Sequence, residues 1–289
     1  MGGPTLPAGV AAEELEAVAR AVAEEAGRLV VEERPDALGT SVKSTRTDVV
    51  TEMDQRSQEL LVARLATLRP DDAVLGEEEG GASGTSGITW VVDPIDGTVN
   101  YLYGIPEFSV SVAAVVGDPT TEDGWEPVAG AVLNPVRGEL FHAHAGGGAW
   151  CTTATGTRPV RTSDATDLGL SLVGTGFGYD AGLRERQARL LVDLLPQVRD
   201  IRRQGSAALD LCAVACGRLD AYYETGLNAW DRAAGQLVAR EAGAVLGGPV
   251  DASLARQLSW AAAPGLAEPF GAVVRDLTDR HVGASDSRR

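Results

Sequence analysis

The sequence predicts an α+β lobe followed by an α/β lobe, together spanning residues 9–289 with a division near residue 155. Three observations predict it. Two stretches of helical periodicity come first, four closely spaced stretches of two-residue alternation follow, and beyond residue 167 strand-like and helix-like stretches take turns. A chain of 289 residues makes one large domain or two packed lobes, and 44% hydrophobic residues suffice for a substantial core.

Leu15, Val18, Val22, Ala26 and Leu29 recur at helical spacing through an Ala- and Glu-rich stretch ending near Pro35. A second helix is expected from Glu52 to Leu68, opened by the capping pattern Thr51-Glu52-Met53-Asp54 and stopped by Pro70. Ile88, Trp90 and Val92 alternate like a strand that runs into Asp93-Pro94. Phe108, Val110, Val112, Ala114 and Val116 alternate again, and residues 128–133 and 139–144 read as two more strands. Short strands in such close succession favour an antiparallel sheet, covered by the two early helices. Residues 146–167, rich in Gly, Thr, Ala and Asp, are the expected lobe boundary. Strands at 170–173, 198–201 and 220–223 then alternate with helices at 183–195, 207–215 and 232–241.

Twenty-five Lys and Arg against 41 Asp and Glu leave a formal net charge of −16, which repels phosphate backbones and anionic lipid. Neither a nucleic-acid nor a membrane partner is expected. A chain this acidic that handles an anionic substrate must gather positive charge locally, and metal ions are the obvious source. Cys151, Cys212 and Cys216 make neither a disulfide framework nor a CxxC pair, and Cys212 and Cys216 read as small buried residues of one helix face. The amino terminus lacks the basic start and apolar block of a signal peptide, and no apolar segment is long enough to span a bilayer. The expected location is the cytoplasm.

Asp93-Pro94-Ile95-Asp96-Gly97-Thr98 is the most informative segment. An apolar strand delivers one aspartate at its end, and a turn built on Pro and Gly brings a second three residues later. Two such charges at 4 Å repel by about 4 kcal/mol at an effective dielectric near 20, a cost that a cation between them turns into binding. The bland alternative is an Asx-type turn. Other acidic positions have bland readings too: a solvated charge run for Gly76-Glu77-Glu78-Glu79, a helix cap for Asp54, and an N-cap for Asp231 before a helix starting at Arg232. His142 and His144 share a strand face, and an HxH pair can hold zinc, but with no third ligand they read as ordinary sheet residues.

Taken together and in order, these motifs resemble the inositol monophosphatase family of lithium-sensitive, magnesium-dependent phosphatases. Trp90-Val-Val-Asp93-Pro-Ile-Asp96-Gly-Thr98-Val-Asn100-Tyr101 matches its first signature, and Trp230-Asp231-Arg-Ala-Ala-Gly235 with Glu241-Ala-Gly243 matches its second. Val42-Lys43 through Asp48, Thr51 and Asp54 are similar to its amino-terminal motif, and Gly76-Glu77-Glu78 to its glutamate loop. The resemblance covers nearly the whole chain, from about Glu13 to Gly247. It implies a layered α-β-α-β-α sandwich and a homodimer.

The resemblance also implies roles. Glu77, Asp93 and the Ile95 carbonyl would bind one magnesium; Asp93, Asp96 and Asp231 would bind a second; a third, weaker one near Glu77 would hold the attacking water. Thr98, paired with Asp54, would help deprotonate that water. The amides of Gly97 and Thr98 would contact the phosphate, while Gly205, Ser206, Ala207, Glu224 and Asp231 would face the rest of a small phosphorylated metabolite. Asn100-Tyr101 resembles the inositol phosphatase branch more than the nucleotidase branch, so inositol 1-phosphate is the expected substrate. Histidinol phosphate, fructose 1,6-bisphosphate and 3′-phosphoadenosine nucleotides are the alternatives, and a fold relative that mainly binds a macromolecule is the rival class. Ser206 stands where threonine is common in the family, keeping the hydroxyl.

Overall fold

The computed structural model describes residues 6–36, 40–42, 49–121, 124–248 and 258–282. Residues 43–48 of the amino-terminal motif lie outside the described residues. Helix α1 (Ala12–Glu32) is followed by an antiparallel pair, β1 (Thr40–Val42) and β2 (Val49–Thr51), and by α2 (Glu52–Leu68). Next come β3 (Ala73–Gly76), β4 (Ile88–Asp96), the short α3 (Thr98–Tyr103), β5 (Ser109–Gly117), β6 (Trp125–Asn134), β7 (Glu139–His144), β8 (Ala149–Thr153) and β9 (Gly156–Pro159). Strands β3 to β9 lie side by side in chain order as one seven-stranded sheet, antiparallel except for the parallel pair β3–β4.

The second lobe holds β10 (Leu172–Thr175), α4 (Ala181–Leu194), β11 (Asp200–Arg202), α5 (Ala207–Ala215), β12 (Ala221–Glu224), α6 (Ala229–Glu241), β13 (Val245–Gly247), β14 (Ser259–Ala262) and α7 (Ala267–His281). Its five-stranded sheet has the order β11-β10-β12-β14-β13, parallel at β10 and antiparallel around β14.

Two-residue alternation decides which layer each side chain joins. Trp90, Val92, Val110 and Val112 meet Leu15 and Val22 of α1 and Leu61 and Leu65 of α2. Their neighbours Val91, Ala113 and Val115 face the other way, onto Leu211 of α5 and Leu237 of α6. Tyr222 and Ala261 of the second sheet close the far side of α5 and α6. Ala221, Tyr223 and Trp260 point outward to Leu190 of α4 and Phe270 of α7. The stack is an α-β-α-β-α sandwich, with each fully buried large apolar side chain contributing about 1.5–3 kcal/mol.

The structure changes several expectations. The two early helices cover one face of the first sheet only; α5 and α6 take the other. Residues 146–167 supply β8 and β9, so the first sheet runs on to Pro159. Strand β9 is exposed along its length at the sheet edge, and so lacks the apolar alternation that marks a strand in sequence. Helix α6 begins at Ala229, three residues before Arg232.

Candidate active site

Residues three apart on a regular strand face opposite ways. Along β4, however, Asp93 opposes Ser111 and Asp96 opposes Ser109, so three steps on β4 match two on β5. This bulge returns Asp96 to the face of Asp93. Pro94 suits the bulge because it has no amide hydrogen to leave unpaired. Gly97 then turns the chain at φ 98°, and a Cβ there would lie 3.0 Å from the Gly205 carbonyl oxygen.

Asp231 is the third residue of α6 rather than its N-cap, and its carboxylate accepts the Asn228 N–H at 2.6 Å in a capping box. The Ser111 hydroxyl donates to the Trp230 carbonyl at 3.3 Å, which ties this helix start to β5 beside Asp93. As a result Asp93, Asp96 and Asp231 each offer a carboxylate oxygen within 4.8 Å of the others. Burial first, and then the charges around them, hold Asp93 and Asp231 well above the usual carboxylate range. Burial pushes Asp96 up to about 6, although the Ser206 hydroxyl (2.5 Å) and the amides of Ala208 (2.8 Å) and Ala207 (3.3 Å) donate to it. An all-oxygen donor set this crowded fits a hard divalent cation.

Glu77 follows β3, its N–H donating to the Val92 carbonyl at 3.2 Å. Its carboxylate stands outside the three-residue group, yet it lines the same cavity and its charge raises Asp54, Asp93, Asp96 and Asp231. Gln58 of α2, fully buried and without a sequence signal, clamps this loop. Its Oε1 accepts the Glu78 N–H at 2.9 Å and its Nε2 donates to the Glu79 carbonyl at 2.9 Å. Gly76 makes room, since a Cβ there would lie 2.1 Å from Gln58 Oε1. Gln58→Leu would strand those backbone groups, costing about 1–3 kcal/mol of stability. It should also weaken divalent-cation binding at the cluster several-fold, checked by melting and by metal titration.

Asp54 makes the helix cap and a contact to Thr98 at once. Its Oδ2 accepts the Thr51 N–H (2.8 Å) and hydroxyl (2.6 Å) as the helix cap, while its Oδ1 accepts the Thr98 hydroxyl at 3.0 Å. Burial raises it to about 6. Asp93 likewise makes the Asx-type turn, accepting the Ile95 N–H at 3.1 Å, and the Ile95 carbonyl lies 3.1 Å from the Thr98 hydroxyl.

These groups open on a cavity of 440 Å³, also lined by Gly97, Gly205, Ser206, Ala207 and Glu224. Ser206 spends its hydroxyl on Asp96 and, as N-cap of α5, accepts the Leu209 N–H at 3.2 Å. Asn100 is a staple, its amide donating to the carbonyls of Glu107 (2.6 Å) and Gln204 (2.7 Å). Glu224 accepts the Tyr222 hydroxyl at 2.6 Å, and burial pushes it to about 7. Among the described lining residues, seven carboxylates stand against one guanidinium, Arg203, a balance in which a phosphate is favoured by cations held at the carboxylates. Away from it, the Nδ1 atoms of His142 and His144 both contact the carboxylate of Glu16 on α1, and the three cysteines are free.

No helix among the described residues is long and apolar enough to cross a membrane. A profile of the inositol monophosphatase family matches residues 11–274. The inositol-1-monophosphatase SuhB of Mycobacterium tuberculosis is 46% identical over 277 residues, 90% of this chain and 93% of that protein. The Nus factor SuhB of Xylella fastidiosa is 43% identical over 203 residues, 70% of each. The solved structure of Mycobacterium tuberculosis SuhB matches with a TM-score of 0.77 at 43% identity, over 92% of this chain and 97% of that one. The fold, the carboxylate cluster and a likeness that runs over most of the chain agree: the protein belongs to the inositol monophosphatase family.

Proposed function

We propose that this chain is a magnesium-dependent phosphomonoesterase that hydrolyses inositol 1-phosphate. The convergence of Asp93, Asp96 and Asp231 in one cavity that Glu77 also lines is the observation that carries the reading. Asp93 would be shared between two magnesium ions, one also held by Glu77 and the Ile95 carbonyl, the other by Asp96 and Asp231, with a third, weaker site near Glu77. Bound there, the ions supply positive charge for the phosphate and for both oxygens of an in-line displacement.

The chain's own part is proton handling and placement. Thr98 donates its hydroxyl hydrogen to Asp54, so its oxygen can take a proton from water as its own hydrogen passes to the Asp54 carboxylate; that water's oxygen attacks phosphorus. The ester P–O bond breaks, and the leaving oxygen takes a proton from solvent, giving the alcohol and phosphate. The Gly97 and Thr98 amides would hold the phosphate, and Glu224 the polyol hydroxyls. A panel of phosphorylated metabolites, with magnesium titrated, tests the reading; equal rates on all esters would remove the inositol assignment. Lithium is expected to inhibit.

Glu224→Gln should lower kcat/KM for inositol 1-phosphate by about 10- to 150-fold, the worth of one charge-assisted hydrogen bond. Hydrolysis of p-nitrophenyl phosphate, which has no hydroxyls to hold, should change far less. Equal losses on both would reassign Glu224 to the metal site or the fold.

We also propose a homodimer. Tyr103, Ile105 and Val136 are exposed near one another, where Asn134 donates to the Pro106 carbonyl and Arg137 pairs with Glu107. Light scattering should give twice the 30.0 kDa chain mass. The name Nus factor borne by the Xylella relative favours a second reading, a macromolecular partner; a pull-down with and without magnesium separates that role from turnover.

A further inference from the structure

We propose that Asp210 is a second specificity carboxylate of this cavity, accepting a hydroxyl of the substrate's alcohol alongside Glu224. The inference rests on the phosphatase reading and adds a residue to its recognition of the polyol.

Asp210 lies in the first turn of α5 and is 1% exposed, yet it lines the cavity. Its Oδ1 accepts the Gln204 side-chain amide at 2.7 Å, while its Oδ2 has no hydrogen-bond partner among the described residues. A carboxylate oxygen at a cavity wall that the protein does not itself engage is free to accept a hydrogen bond from a ligand. The surrounding sequence makes room for Glu224 beside this acid. A Cβ at Gly174 in β10 would sit 2.7 Å from Leu219 Cδ1 and 3.2 Å from the ring of Tyr222, whose hydroxyl holds Glu224. One at Gly176, just past the strand, would sit 2.0 Å from Glu224 Oε2. Gly176 thus keeps this side of the cavity open to Glu224, and Asp210 lines the same cavity.

The donors and acceptors here define a ligand class. The Tyr222 hydroxyl occupies Glu224 Oε2, which leaves Oε1, and Asp210 contributes Oδ2. Arg203 is the only cationic side chain among the described lining residues, and its charge acts on both acids. Two acceptors and one donor suit a neutral polyol with neighbouring hydroxyls. A second phosphate would face two carboxylates against one guanidinium, which disfavours bisphosphates and nucleotides at this wall.

Binding can be read apart from turnover in a Thr98→Ala chain, in magnesium, by titration calorimetry with inositol 1-phosphate and with inorganic phosphate. Adding Asp210→Asn should weaken inositol 1-phosphate by about 10- to 100-fold, the scale of one charge-assisted hydrogen bond, and inorganic phosphate by less than about threefold. The amide keeps an acceptor for Gln204 and removes a buried charge, so the variant should melt no lower. Asp210→Ser is the second variant, with the same ligand pattern expected. Equal weakening of both ligands would make Asp210 a support of the metal cradle, and no weakening of either would make it a buried helix acid; both overturn the inference. The phosphatase reading fails by a different result, a wild-type chain that hydrolyses neither inositol 1-phosphate nor p-nitrophenyl phosphate.

Discussion

Asp93→Asn is expected to reduce phosphate-ester turnover by about 10⁴-fold or more and to make the chelated protein melt higher than wild type at pH 7. The first effect follows from the central place of Asp93, whose loss removes a ligand that two cations would share. Each cation supplies several kcal/mol of charge stabilisation, and about 1.4 kcal/mol is a factor of ten in rate. The second effect has the opposite sign because the ionised Asp93 is opposed by burial and by the charges of Glu77, Asp96 and Asp231. An amide of the same shape removes that repulsion.

The same physics sets a pH dependence for the metal-free chain. Asp54 and Asp96 are raised to about 6 and Glu224 to about 7, from ordinary values of 3.8 and 4.5. The folded chain therefore holds protons that the unfolded chain would release. The stability tied to these groups is complete below about pH 4 and is lost as the pH rises through 6 and 7. For Asp96 the shift of about two units corresponds to about 3 kcal/mol. Melting temperature in excess chelator should fall between pH 4.5 and 7.5, and magnesium should restore it. A chelated chain that melts higher as pH rises across that window would contradict the carboxylate cluster as a cation site.

Asp54→Asn is the second large effect: kcat down by about 10²–10⁴ with little change in melting temperature. The Thr51 N–H can only donate, so the new side chain must turn its oxygen toward Thr51 and its NH₂ toward Thr98. The cap survives, since Asn caps about as well as Asp. The hydrogen bond at Thr98 reverses: the amide now donates to its oxygen, and the hydroxyl hydrogen is left to the Ile95 carbonyl. Thr98 then has no base to pass a proton to. Near-normal kcat in this variant would leave Asp54 as a cap alone.

Most of the element order was legible in the sequence, because periodicity, caps and proline stops are written within a few neighbouring residues. Helix α2 and helix α5 have the expected limits for that reason. The Asp93–Asp96 pair was legible too, since Pro94 and Gly97 mark the turn that separates the two aspartates. Residues 259–281 gave no expectation, although they form β14 and α7, and β9 stayed hidden because an exposed edge strand has no apolar face to display.

The sequence by itself determined the secondary-structure rhythm, the family resemblance and the identity of the carboxylates. The tertiary structure decided which of them meet and what holds them. Asp54 reaches Thr98 across 44 positions and Asp96 reaches Ser206 across 110, spacings with no local period to read. Gln58 is one polar residue on an ordinary helix until the Glu78 backbone packs against it, and Asp210 is a routine first-turn acid until the fold sets it in the cavity lining with Glu224. A local pattern records what a residue does to its own segment; partners brought together by sheet pairing and layer packing exist only once the core has closed.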